Sequence, residues 1–221
     1  MRVLAFDTSG PVLTVGIAAD GRAVLRRDCP ATRGRGNLLE REIEAALSQC
    51  DWQRGDVEGL ALVTGPGSLT AIRIAWATAA GWAQAQQIPV TGWTVAQAQA
   101  RRAAPDTHHC WCAVHYRGNV FLLYHLDDPT HTPRPVDLSD GSVAAHPPRV
   151  LTGPGVIGYR ERWQAYIGPQ TVIAADADAF VGGDILALWG EADLRTGHRL
   201  SLAQSPLEYG LPPDFRKLHQ P

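Results

Sequence analysis

The chain has 221 residues, of which 20 are basic and 22 acidic, and its formal net charge is −2. With 45% hydrophobic and 19% charged residues, it has the composition of a globular protein rather than a disordered one. The near-neutral charge argues against a protein that binds nucleic acid unaided, because phosphate contacts require clustered Lys and Arg. No charged leader with an apolar run and no membrane-length apolar stretch occurs, so we expect a cytoplasmic protein.

The first half of the chain alternates between strand and helix patterns. The Asp20-Gly21 pair is a strong hairpin signal between two apolar runs, so the chain is predicted to open with an antiparallel meander. Leu39, Ile43 and Ala46 recur at helical spacing, and Thr94 is a candidate helix cap. In chain order, the predicted elements are strands 3–8, 12–19 and 22–29, helix 38–50, strand 59–64, helix 69–87, strand 90–93 and helix 95–102.

The second half has a weaker pattern and more proline. Strands 110–115 and 119–126 are predicted to form a hairpin, with further strands at 150–151 and 171–175 and helices at 159–166 and 178–191. Five prolines predict a loop with short edge strands between residues 129 and 148, and the tail from 206 to 221 is expected to be extended. We therefore predict an N-terminal lobe over 1–104 and a smaller lobe over 105–221. The order of elements favours an α/β protein of the ribonuclease-H-like or actin-like fold, in which the second lobe is degenerate.

Two loops are candidates for chemistry. In the segment 6–10, Asp7, Thr8 and Ser9 follow the first strand, where a carboxylate and hydroxyls can hold a hydrated metal near a phosphate. The alternative is a capped turn between strands. The segment 64–73 joins a strand to a long helix, and its glycines and Ser68 could present free amides to an anion or could simply form a turn and a helix cap. For each loop, residue spacing alone does not decide between the binding site and the structural turn.

Other reactive side chains give no constellation. Cys110 and Cys112 alternate on one strand face and are predicted to be structural free thiols. The histidines show no helical ligand pair, and the chain lacks both a nucleophile elbow and a Walker loop. We therefore expect no metal, no cofactor and no catalytic residue.

Taken together, the two loops resemble a known family. The opening Ala5-Phe6-Asp7-Thr8-Ser9 is followed by Thr64-Gly65-Pro66-Gly67-Ser68-Leu69-Thr70-Ala71-Ile72-Arg73. This pair is similar to the TsaB (YeaZ) family pattern, which is A-[IF]-D-T-[AS] followed by G-P-G-S-[FL]-T-G-[VI]-R-[IV]-G. Weaker similarities continue through 88–94, 113–117 and 206–211. The family motif residues, a vestigial phosphate or metal loop, are Asp7, Thr8, Ser9, Gly65, Pro66, Gly67, Ser68, Thr70 and Arg73.

Several positions depart from the family pattern. Ala71 and Ala75 stand where the family has glycine, and His115 stands where it has aspartate. Arg33 to Gly36 replaces the family's E-H-[ST], and the closing arginine is absent near Tyr209. These departures mark a divergent member and affect any ligand or partner contact made at those positions.

The resemblance implies a non-catalytic scaffold with an actin-like fold. Such a subunit pairs with a TsaD-like catalytic subunit and a TsaE-like ATPase, which transfer threonylcarbamoyl to tRNA, and tRNA is met only through the complex. The pairing is expected to use the helices at 38–50 and 69–87, and the same helices make a homodimer plausible. The predicted interface residues are Leu39, Ile43, Ala46, Ile72, Ala75, Trp76, Ala79, Ala80 and Ala83.

The rival hypothesis is an enzyme of the same fold. A phosphotransferase would use Asp7 for metal and the loop from Gly65 to Ser68 for phosphate. Such kinases need two full lobes and a second nucleotide loop, which the residues after Pro105 do not clearly provide. The sequence therefore favours the scaffold.

Overall fold

A computed structural model describes residues 1–31, 35–103, 108–201 and 207 of the chain. Within these ranges the protein is α/β, with two five-stranded sheets. None of the described helices combines the length and the apolar character needed to cross a bilayer. The predicted motifs at 32–34 and in the tail beyond 207 lie outside the described residues.

The first sheet has the order β3-β2-β1-β4-β5. β1, β2 and β3 pair antiparallel, whereas β4 and β5 run parallel to β1, which confirms the predicted meander followed by βαβ units. The bounds are β1 (Arg2–Asp7), β2 (Val12–Ala19), β3 (Arg22–Pro30), β4 (Gly59–Val63) and β5 (Val90–Trp93).

Alternation along the strands gives this sheet two apolar faces. Leu4 and Phe6 on β1 point toward α1 (Arg35–Gln49) and α2 (Leu69–Gln86), with which they share one buried cluster. Val3 and Ala5 face the opposite side and pack with α5 (Gly183–Arg195). The first sheet is therefore covered by helices on both sides.

The second sheet has the order β10-β9-β6-β7-β8. One of its faces packs around Trp163 of α4 (Arg160–Ile167), a fully buried side chain whose indole N–H donates to the carbonyl of Gly155 at 3.0 Å. The bounds are β6 (Cys110–Arg117), β7 (Val120–His125), β8 (Arg134–Asp137), β9 (Val150–Thr152) and β10 (Val172–Ile173).

The two sheets share a core. Cys112 and Val114 of β6 belong to the same buried cluster as Val3 and Ala5 of β1, together with residues of α3 (Val95–Ala103) and α5. Cys110 lies in this cluster too, so both cysteines occupy one face, as predicted. The predicted lobe boundary at residue 104 lies between the two sets of strands, and α5 then returns from the second sheet to the first.

The last helix begins later than the sequence pattern predicts. The predicted helix 178–191 is observed as α5, over Gly183–Arg195, and is preceded by a short 3-10 turn at Asp176–Asp178. Gly182 holds an extended backbone at the helix start. The glycine pair is needed because the amide of Gly183 donates to the Thr14 hydroxyl at 2.7 Å, which requires close approach to the sheet.

Candidate functional site

The two family motifs meet at the carboxyl end of β1. The amide of Ser68 donates to the carbonyl of Ser9 at 3.1 Å. At Gly67 the approach is so close that an added β-carbon would lie 2.2 Å from that same carbonyl oxygen. Glycine is therefore required there by backbone contact between the two loops, and no gap is left between Gly67 and Ser9 for a phosphate oxygen.

Asp7 lies buried under this contact. Its Oδ1 accepts a hydrogen bond from the Ser9 amide at 2.7 Å within the turn. Burial raises the pKa of the Asp7 carboxyl, and the hydrogen bond from the Ser9 amide opposes that rise. The Asp7 carboxyl thus caps the turn that follows β1, as the capped-turn alternative predicts. It does not face solvent, where a hydrated metal would bind.

Neighbouring contacts lock both loops to the helices. The Thr8 hydroxyl donates to the carbonyl of Ala71 in the first turn of α2 at 2.8 Å, and the amide of Val95 donates to the carbonyl of Gly65 at 2.7 Å. Ser68 occupies the predicted N-cap position of α2, but its side chain makes no capping hydrogen bond. The buried motif residues therefore act together as a structural junction between β1, α2 and α3.

The remaining motif residues lie apart from this junction. Thr70 and Arg73 are exposed on the first turns of α2. On the other side of the β1–β2 turn, Gly10 approaches Pro154, in the short 3-10 turn after β9, so closely that an added β-carbon would lie 2.8 Å from its side chain. In the parts of the chain that the structure describes, no three His, Cys, Asp or Glu side chains are grouped as metal ligands.

The burial of Asp7 predicts a pH dependence of stability. Because its folded pKa is raised, its contribution is fully present below the unfolded pKa of about 4 and is lost as pH rises through the folded pKa. We expect the unfolding free energy of the wild type, relative to Asp7→Asn, to fall as pH rises from about 4. Urea denaturation of both proteins at several pH values measures this difference.

A carboxyl of opposite behaviour gives the control for that experiment. Hydrogen bonds from the Ser142 hydroxyl and amide lower the pKa of Asp140, so its contribution is present above about pH 4 and is lost as pH falls through the folded pKa. The difference between wild type and Asp140→Asn should therefore rise with pH. A flat profile for Asp7→Asn would show that its carboxyl is hydrated in solution.

The structure corrects the predicted partner interface. Of the nine predicted residues, only Trp76 and Ala80 are partly exposed. The continuous apolar stripe is the face that packs on the sheet, since a sheet with apolar side chains on both faces needs a helix to cover it. Seven predicted residues are buried within the chain: Leu39, Ile43, Ala46, Ile72, Ala75, Ala79 and Ala83.

The solvent side of α2 is nevertheless unusually apolar for an exposed helix. Arg73 is the single charged residue among its 18 residues, and Leu69 is 46% exposed. A solvent-facing helix surface normally carries charged side chains. We define the α2 outer face as the side of the helix that carries the following exposed and partly exposed residues: Leu69, Thr70, Arg73, Trp76, Ala77, Ala80, Gly81 and Gln84.

The outer face of α1 differs from that of α2. Glu40 and Glu44 are exposed there, and Arg54 forms ion pairs with both. The Arg54 guanidinium also lies 5.2 Å from the ring centroid of Trp82 and covers it. The outer face of α1 is therefore charged, in contrast to that of α2.

The family departures lie away from this outer face. Ala71 and Ala75 are buried, so neither contacts a partner at the α2 surface in this structure. His115 stacks on Tyr159, with ring centroids 5.5 Å apart, and belongs to the second sheet.

The sequence analysis missed the packing of α5 against β2. The only sequence signal for this contact was Gly16, a glycine within a strand pattern.

The strand order and the two sheets are those of an actin-like fold with two lobes. Two solved Pseudomonas aeruginosa structures match it. One is an uncharacterized protein with similarity to peptidase YEAZ, with a TM-score of 0.69 and 22% identity, covering 94% of this chain and 98% of that one. The other is YeaZ, with a TM-score of 0.65 and 22% identity, covering 92% of this chain and 96% of that one. The fold is therefore shared along nearly the whole chain.

Sequence comparison also gives a family match over part of the chain. The family described as TsaD, tRNA N6-adenosine threonylcarbamoyltransferase, matches residues 31–114. An uncharacterized protein of Mycobacterium tuberculosis is 33% identical over 92 residues, which is 41% of this chain and 44% of the relative. The aligned part thus spans less than half the length of the curated relatives it matches. The family match thus covers residues 31–114, and the likeness to the two Pseudomonas aeruginosa structures along nearly the whole chain shows a shared fold.

Proposed function

We propose that this chain is a non-catalytic subunit that binds and supports a TsaD-like catalytic partner. With a TsaE-like ATPase, the complex would transfer threonylcarbamoyl to the tRNA adenosine next to the anticodon, in the cytoplasm. The observation that carries the proposal is the α2 outer face, an exposed helix surface with one charged residue. Such a surface is stabilised when a partner covers it.

The geometry of the motif junction supports the non-catalytic role. Asp7 is buried and bonded to its own turn, and the Gly67 backbone packs directly against Ser9. A phosphotransferase needs an accessible carboxylate for its metal and an open phosphate loop. These groups instead set the position at which α2 begins, and so they place the outer face.

Small residues on the α2 outer face suit close helix approach, and Trp76 supplies a large anchor of the kind found at interface hot spots. Ala77, Ala80 and Gly81 lie near it on the helix and present little side-chain bulk. A β-carbon added at Gly81 would contact nothing within 4 Å, so this position opens directly to a neighbour. A second copy of the chain can use the same face when the catalytic partner is absent.

The proposal is tested by reconstitution with the TsaD-like and TsaE-like proteins of the source organism. We expect this chain alone to turn over no ATP and to bind neither ATP nor magnesium in calorimetry. We expect it to co-purify with the TsaD-like protein and to be required for threonylcarbamoyl transfer to tRNA. Micromolar ATP binding by the chain alone would instead support the phosphotransferase, and full transfer without the chain would overturn the scaffold role.

A further inference from the structure

The loop between β7 and β8 borders a cavity of about 590 Å³, at the end of the second sheet away from the β6–β7 turn. This volume lies within the range of small-molecule sites, roughly 300 to 1,000 Å³. Most of the lining side chains are polar or charged, so the cavity suits a small polar ligand. The lining residues are His125, Asp127, Asp128, Thr132, Pro133 and Arg134.

The register of the sheet positions one side of this cavity. Arg134 pairs with Leu123 in the antiparallel ladder of β7 and β8, and His125 lies two residues further along β7. Paired residues, and residues two apart on one strand, point to the same face of a sheet. The His125 ring also packs against the Trp111 ring, with the centroids 4.8 Å apart. The His125 imidazole and the Arg134 guanidinium are therefore placed on one face by the strands themselves.

A chain of hydrogen bonds determines what the Thr132 hydroxyl can offer to a ligand. Asp128 Oδ1 accepts hydrogen bonds from the Thr130 amide at 2.9 Å and from the Thr130 hydroxyl at 2.8 Å. Because the Thr130 hydroxyl proton is used there, the Thr130 oxygen can only accept from the Thr132 hydroxyl, which lies 2.9 Å away. The Thr132 oxygen is then left with lone pairs alone. A ligand group at Thr132 must therefore be a hydrogen-bond donor.

Asp127 adds a carboxylate that the described chain leaves without a hydrogen bond. His108 Nδ1 lies 3.8 Å from Asp127 Oδ2, which is beyond hydrogen-bonding distance, and the Asp127 side chain is 42% exposed. Asp128 is ionised at neutral pH, because hydrogen bonds from the Thr130 hydroxyl and amide hold the pKa of its carboxyl below the usual range. Together with the Thr132 oxygen, these carboxylates make this side of the cavity a site for an ammonium group.

Arg134 supplies the opposite charge. Its side chain is exposed, and among the described residues it forms no ion pair with a carboxylate, including the two that line the same cavity. A guanidinium is a planar group of donors that matches the geometry of a carboxylate. A cation and an anion that line one cavity without pairing with each other are complementary to a molecule that carries both charges.

We propose that this cavity binds a small zwitterion, a molecule with one ammonium and one carboxylate group, such as a free amino acid. The ligand carboxylate lies against Arg134, and the ligand ammonium donates to Asp127 and to the Thr132 oxygen. Two carboxylates and one guanidinium give the lining a net charge of −1 when His125 is neutral, so the ammonium end is held more firmly. The lining shares no residue with the α2 outer face, and the inference is therefore independent of the proposed function.

The test is an NMR titration of the isotope-labelled, full-length protein. Glycine, γ-aminobutyrate and ε-aminocaproate, in which the two charges are increasingly far apart, are compared with butylamine and butyrate, which carry one charge each. We expect the tightest zwitterion to bind with a dissociation constant of about 1 to 10 mM, as a ligand of so few atoms allows. It should bind about fivefold more tightly than butylamine, since one exposed ion pair contributes that much, and butyrate should bind most weakly. The shifted signals should be those of residues 125–134.

Matched variants assign the two charges of the ligand. Arg134→Ala should bind the best zwitterion no more tightly than butylamine, and Asp127→Asn should weaken all amine-bearing ligands about fivefold. Arg149→Ala and Asp51→Asn remove exposed charges outside the cavity and should bind like wild type. Signals unchanged elsewhere in each spectrum show that the variant is folded. The inference is overturned if wild type binds no zwitterion at about 50 mM, if butylamine binds as tightly as the best zwitterion, or if the control variants lose as much affinity as the cavity variants.

Discussion

Replacing Gly16 by alanine is expected to lower the unfolding free energy by roughly 3 kcal/mol or more. A β-carbon at this position of β2 would lie 1.9 Å from the carbonyl carbon of Gly183, at the start of α5. Both contacting groups are backbone, so no side-chain rotation relieves the clash. The helix would have to move away from the sheet and break the hydrogen bond from the Gly183 amide to Thr14.

The same methyl group added at Gly81 gives the control. That glycine lies within α2, and an added β-carbon meets nothing within 4 Å, so Gly81→Ala should stabilise the protein by about 0.5 to 1 kcal/mol. Urea denaturation followed by circular dichroism measures both variants. Equal unfolding free energies for Gly16→Ala and Gly81→Ala would mean that α5 is not seated on β2 in solution.

A loosened α5 would affect both lobes. Leu186 and Ala187 of α5 share one buried cluster with Val3 of the first sheet and Val114 of the second. Asp193 of α5 also accepts hydrogen bonds from Arg101 of α3 and from the Trp93 indole, at 2.8 and 3.2 Å. We therefore expect the Gly16→Ala variant to unfold in a single transition, with both sheets lost together.

The first lobe could be predicted from local signals because each element is specified within itself. Asp20-Gly21 closes the first hairpin, and both residues adopt the positive φ angles that such a turn requires. Thr94 caps α3 through a reciprocal pair of hydrogen bonds with Gln97, at 3.1 and 2.9 Å. Signals of this kind depend on neighbours only a few residues apart.

The buried face of α2 could not be predicted from the pattern alone. Ile72, Ala75 and Ala79 are apolar, but so are Ala77 and Ala80 on other sides of the helix. Periodicity identifies a face only when the opposite face is polar. The buried face is set by the sheet, because the apolar side chains of β1, β2 and β4 pack against Ala75 and Ala79 and leave the α2 outer face to solvent.

Long-range contacts explain the remaining surprises. The start of α5 depends on Thr14, which is 169 residues earlier in the chain. The burial of Asp7 depends on a loop that begins more than fifty residues later. The spacing of Asp7 and Ser9 was compatible with metal binding or with a turn, and only the approach of the second loop distinguishes the two.

Replacing Ala80 by glutamate is expected to weaken binding to the TsaD-like protein by at least about thirtyfold, which corresponds to roughly 2 kcal/mol. Ala80 is half-buried beside Trp76 on the α2 outer face, so a docked partner would have to bury the new carboxylate without a cation. Because part of the position faces solvent, the variant should fold. Calorimetry with the purified partner and thermal melting of the variant alone measure the two effects.

Two further variants separate docking from folding. Ala165→Glu places the same charge on an exposed helix position of α4, and we expect it to leave both binding and stability unchanged. Ala79→Glu forces a carboxylate into the core between α2 and the sheet, and we expect it to destabilise the fold. If Ala80→Glu bound the partner as tightly as Ala165→Glu does, the partner would have to dock elsewhere on the chain.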